Sequence, residues 1–198
     1  MKAVCECTLE IMPVIVASQP VGLRSDSIAP KNSGYPLHTP LTHLEKNTMF
    51  FAIALHLLAS VIWVGGMFFA YVALRPVAGS LLEAPIRLSL WSQVFQRFFP
   101  WVWASVIILL VSGLWMIKGF GGMAEVGPHI HIMLTLGLVM MLLFMHLFFS
   151  PFKKLQRAVI AEEWENGGKA LNQIRQLIAI NLGIGLLVVV VASAGRYL

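Results

Sequence analysis

Residues 50–74 read FFAIALHLLASVIWVGGMFFAYVAL, twenty-five consecutive positions with one histidine, one Gly-Gly pair and no charge. At ~1.5 Å per residue a helix of this length exceeds a hydrocarbon core of roughly 30 Å and crosses it with some tilt. In lipid its backbone has to be helical, and a buried imidazole needs polar company from other helices. The rest of the chain supplies such a bundle. Only 12% of the 198 residues are charged, against about 25% in soluble domains, and the mean hydropathy is +0.80. The chain is an integral membrane protein of the all-α class.

Three more apolar segments follow, at about residues 98–117, 129–149 and 177–194, so the expected fold is an integral membrane four-helix bundle. Arg75-Pro76 is expected to end the first span and Ser150-Pro151 the third, since proline removes a backbone donor and clashes with the preceding turn. Between the first two spans, residues 85–95 are expected to form a short interfacial helix with Trp91 and Phe95 on its apolar side. Pro100 then falls in the first turn of span two, where it is tolerated. Residues 118–128, KGFGGMAEVGP, lack the lysine and hydroxyl of a phosphate-binding loop and read as a tight connection. Residues 152–175 are the most charged section, expected as two short helical extensions broken at Asn166-Gly167-Gly168.

Residues 1–48 differ in texture, being rich in Pro, Ser, Asn and His, and are expected to be a disordered extension preceding a membrane domain that starts at Met49. Cys5 and Cys7 lie too close for an ordinary disulfide; a copper(I) pair is the functional alternative.

The net charge of +5 lies entirely after residue 48. In a membrane protein such a surplus encodes orientation rather than nucleic-acid binding. Arg75, Arg87, Arg97, Lys153, Lys154, Arg157, Lys169 and Arg175 fall on one side, and Lys118 and Arg196 on the other. The positive-inside rule places the basic side in the cytoplasm of a bacterial inner membrane, with both termini periplasmic.

Histidines inside the hydrocarbon are costly and hence candidates for function. His56 lies ~9 Å into span one, and His129 and His131 open span three, which runs in the same direction. All three sit toward the outer side. His146 lies ~25 Å deeper than His129 and cannot share a site with them. On the His56 face come Ala59, Ser60, Trp63, Gly66, Met67 and Ala70; opposite stand Leu57, Phe68 and Val72. The small, polar stripe is the one expected to face the bundle. In span three His129, Met133, Met140 and Phe144 share one face, and His131, Thr135, Leu138, Leu142 and Met145 another. Imidazole with thioether suits copper, with Met133 and Met67 as auxiliary donors. Ser105, Ser112 and Asn181 read as interhelical glue. No hydrolase or nucleotide motif is present, so hydrolase or ATPase chemistry has no support and no catalytic residue is assigned.

The run from Ala54 to Pro76, with RFFPWVWASVIILLVSGLWMI, HIHIMLTLGLVMMLLFMHLFFSPFKKLQRAV and the Asn181 helix ending ASAGRYL, resembles the copper resistance protein D (CopD) domain family. The likeness spans residues 50–198. It implies an inner-membrane protein of copper resistance, uptake or homeostasis, with His56 and His129 or His131 as ligands. The same opening is similar to the HemJ protoporphyrinogen oxidase family, which implies haem b with His56 and His131 as axial ligands, and a membrane oxidoreductase if the chain is an enzyme at all. HemJ-like chains carry a lysine shortly after the third-helix histidine, whereas His131 is followed by Ile132 and Met133. A third reading is an accessory subunit without a ligand. Expected partners are the lipid bilayer, copper or haem, and a periplasmic copper-binding protein or electron-transfer partner.

Overall fold

The computed structural model describes residues 43–195; residues 1–42 of the expected 1–48 extension, with Cys5 and Cys7, lie outside them, and residues 43–48 are helical rather than disordered. The described residues form six α-helices: α1 (His43–Phe68), α2 (Arg75–Leu81), α3 (Ala84–Gly119), α4 (Pro128–Leu147), α5 (Lys153–Ile160) and α6 (Trp164–Ala194). A π-helical turn, Phe69–Leu74, joins α1 to α2, and another, Phe148–Phe152, joins α4 to α5. The result is four continuous rods, Asn47–Leu81, Ala84–Gly119, Pro128–Ile160 and Trp164–Ala194, each long and apolar enough to cross a membrane. The four-helix membrane bundle expected from the sequence is therefore the observed architecture.

The rods are longer than the apolar segments, and proline fails to stop them for an identifiable reason. In the first π turn the N–H of Arg75 bonds to the carbonyl of Ala70, five residues back. That wider loop breaks the usual ladder just before Pro76, so the missing proline N–H falls where the register is already shifted. Pro151 likewise lies within the second π turn.

Three further boundaries differ from expectation. Residues 85–95 are not a separate interfacial helix: α3 runs unbroken from Ala84, with Trp91 and Phe95 buried in the core and Pro100 inside the helix. Asn166-Gly167-Gly168 lies inside α6, because Gly167 is buried against Leu88 of α3 and its missing side chain lets the two helices close up. The break falls instead at residues 161–163, where Glu162 takes a positive φ.

α1 packs chiefly along α3, and α4 along α6, with α6 also touching α3 and α1. The inner faces follow the helical period. Ala59, Trp63, Met67 and Ala70 are buried on α1 while Leu57, Phe68 and Val72 are exposed, so the small-residue stripe does face the bundle. An aromatic cluster fills the centre. Phe99 stacks on Phe95 at 5.2 Å and meets Phe144 and Phe152 edge-on at 5.5 and 4.7 Å, while Trp63 reaches Phe144 at 6.1 Å. Outward-facing Val61, Ile107, Leu142 and Val190 give the bundle its apolar, lipid-compatible exterior.

Asn181 is, with Ser105 and Ser112, one of the buried polar residues of the bundle. It is 3% exposed, its Oδ1 meets no donor, and it borders a cavity of about 20 Å³ lined also by Trp63, Met67, Phe99 and Phe144. Replacing an unsatisfied buried carboxamide by an apolar side chain of the same size is neutral or stabilising. Asn181→Leu is thus expected to raise the unfolding midpoint in detergent, by the equivalent of ~1 kcal/mol. A clear drop would mean that the carboxamide has a partner in the working protein.

Candidate metal-binding site

At the end of the bundle formed by the start of α1 and the end of α3, His56 points into the α1–α3 seam. Its Nδ1 lies 2.8 Å from the hydroxyl of Ser112, which is 6% exposed. Ser112 Oγ also donates to the carbonyl of Ile108, one turn back on α3. A hydroxyl has a single hydrogen, and here the Ile108 carbonyl takes it. With that hydrogen on Ile108, the tautomer that completes the chain has His56 donating its Nδ1–H to Ser112 Oγ and Nε2 carrying the free lone pair. This is the arrangement in which a histidine is oriented for a metal: one ring nitrogen anchored by a hydrogen bond, the other presenting a lone pair. Gly113 keeps the space beside the ring narrow, since a Cβ there would sit 3.5 Å from His56 Cε1.

Two thioethers share the seam. Ser112, Met116 and Gly119 fall on one face of α3 at helical spacing, and the Met49 Cε methyl packs against Gly119 from α1. Met49 and Met116 are both half-buried, between His56 and the helix ends. The sequence reading passed over both and took Ser112 for packing glue; Met49 stands two turns before His56 on α1, a spacing already visible in the sequence, whereas Ser112 and Met116 depend on the facing of α3.

The other residues singled out in the sequence scatter. His129 is half-buried at the same end but packs on Gly195 of α6, on the face it shares with buried Met140 and Phe144. Met133, on that face, is half-buried as well. His131 stands on the exposed face with Thr135, Leu138 and Leu142. Met67 is buried in the aromatic core, ~16 Å along α1 from His56, and so belongs to a different level of the bundle. His146 is exposed near the other end. Within one copy, the structure brings neither His131 nor Met67 to His56. Among the described residues no three His, Cys, Asp or Glu side chains gather in a metal-holding group. A metal at the seam would therefore rest on imidazole and thioether, a donor set that suits copper(I).

Four membrane-spanning rods around an aromatic core, with a hydrogen-bonded histidine between the first two, define a multi-pass helical membrane protein. The chain belongs to the Copper resistance protein D (CopD) family, whose model matches residues 92–194, a little over half its length. The matched stretch includes Ser112, Met116 and all of α4 to α6, while α1 with His56 precedes it. No curated protein and no solved structure matches the chain.

Proposed function

We propose that this protein handles copper at the bacterial inner membrane, taking copper(I) as cargo at the periplasmic end of the α1–α3 seam. The observation that carries the reading is the 2.8 Å contact of His56 Nδ1 with Ser112 Oγ, which in the Nδ1–H tautomer leaves Nε2 as a lone-pair donor. Membership of a copper-resistance family supports it, and so does the position of Met116 one turn beyond Ser112 on the same face of α3. His129 is a further donor at the same end of the bundle, supplied by α4. The basic residues at the opposite end support termini on the periplasmic side, so the seam opens toward a soluble periplasmic copper carrier. Binding and release at such a site are ligand exchange, with no change of oxidation state and no covalent enzyme intermediate.

The test is a copper(I) titration of the full-length protein in detergent against a coloured competing chelator, with the absorption spectrum recorded on the same sample. Retention of about one copper per chain, without a Soret band, is the expected result. A Soret band in stoichiometric amount would replace copper by haem b. Failure to compete for copper, with no haem, would leave an accessory subunit.

A further inference from the structure

The opposite end of the bundle holds a cluster of positive charge that the copper reading does not use. Arg75 follows the first π turn, Arg87 and Trp91 lie one turn apart at the start of α3, and Arg175 comes from α6. Neighbour contacts set their relative levels. Val64 of α1 lies against Gly185 of α6, and Leu88 of α3 against Gly167 of α6. With α1 antiparallel to α6, Arg75 comes level with residues 174–175. With α3 parallel to α6, Trp91 comes about one turn and Arg87 about two turns from that level, within the span that long arginine side chains and a headgroup can bridge. The charges of Arg75 and Arg87 both bear on Arg175.

Such a gathering needs an acceptor. Arg87 Nε, Trp91 Nε1 and Arg175 Nε are buried and meet none. Among the described residues the only ion pair is Lys169 with Glu165, elsewhere on α6. The Arg75 guanidinium rests on the Tyr71 ring, 4.9 Å from its centroid, which supplies no carboxylate. Orientation in the membrane requires positive charges on one side but not their convergence, and buried N–H donors without acceptors are costly. Three guanidiniums and an indole N–H present donors only, and guanidinium forks match the oxygens of a phosphate.

We propose that Arg75, Arg87, Arg175 and the Trp91 indole bind the phosphate of an anionic phospholipid headgroup. A free phosphate shares that chemistry, but the surroundings favour the lipid. Phe69 and Val72 stand exposed within two turns of Arg75 on the membrane side, where acyl chains would lie along the rod. The bound headgroup would neutralise the cluster and tie the first, second and fourth rods together at the membrane face.

The full-length protein, stripped of lipid in detergent, is titrated with phosphatidylglycerol and with phosphatidylcholine, and bound lipid is counted by native mass spectrometry. One phosphatidylglycerol is expected to be retained under conditions that remove phosphatidylcholine. Arg87→Gln/Arg175→Gln should weaken that retention at least about tenfold, and Arg175→Lys, which keeps charge but not the fork, should fall between. Lys153→Gln/Lys154→Gln removes as much charge from the same end and should leave retention within about twofold. Equal losses in both double variants, or equal retention of the two lipids, would overturn the site. Millimolar inorganic phosphate raising the unfolding midpoint as much as phosphatidylglycerol, with no lipid retained, would overturn the lipid assignment in favour of a free anion. If the arginine pair fails to fold, exposed Arg75→Gln carries the test: unchanged retention there would sink the proposal.

Discussion

Gly185→Leu is expected to leave a protein that no longer holds its four rods together, with an unfolding midpoint in detergent far below that of the unsubstituted chain. Gly185 is buried on α6 where that helix touches two others at once. A Cβ there would lie 3.1 Å from Val64 Cγ2 on α1 and 3.1 Å from Met140 Cε on α4. The Met140 methyl end can swing aside, but Val64 is branched at Cβ and has little rotamer freedom. Alanine therefore already presses on α1. Leucine adds three further carbons in the same space and has to push α1 and α4 outward together. Overpacking of this kind costs about 1–3 kcal/mol in ordinary cores and sometimes more. The loss falls at the upper end here, because helices in lipid associate through close packing and hydrogen bonds rather than through exclusion of water. Gly183, two residues earlier, has open space where its Cβ would be. Gly183→Leu should melt within a degree or two of the parent. Similar midpoints for the two leucine variants would show that Gly185 is not a contact point.

The same residues show why part of this structure can be read from the sequence and part cannot. Length and apolarity fix the four crossings, since lipid permits little else, and the 3.6-residue period sorts Ala59, Trp63 and Met67 from Leu57 and Phe68 without ambiguity. Helix ends are another matter. Pro76 and Pro151 carry strong stop signals, yet π turns absorb both, and that accommodation depends on the preceding hydrogen bonds rather than on residue type. Gly167 looks like a breaker until Leu88 arrives opposite it from α3. The site is less legible than the fold for a related reason. Spacing along α1 places His56 on the inner stripe, and spacing along α4 separates His129 from His131, but neither tells which face of α3 turns toward α1. That rotation brings Ser112 to His56 and turns Met116 to the same side of α3, while His131 is carried outward on its own face of α4.

His56→Ala should abolish stoichiometric copper(I) retention, and Ser112→Ala should weaken it by about 10- to 100-fold without abolishing it. The two losses differ because the residues act at different distances from the metal. Removing the imidazole removes the donor nitrogen itself. Removing the Ser112 hydroxyl leaves the ring in place but frees Nδ1, so the ring can rotate and the proton can move to Nε2, where it blocks the lone pair. Restoring the binding form then costs part of the affinity, about 1.4–2.7 kcal/mol for that range. Ser105 separates this effect from a general weakening of the seam. It is as buried as Ser112 and lies two turns away on the same helix, but it makes no bond to His56. Ser105→Ala should bind copper(I) as the parent does. A competition titration on the four proteins decides the matter. If Ser112→Ala matched the parent, the hydrogen bond would serve packing alone, and if His56→Ala still held one copper, the metal would lie elsewhere in the bundle.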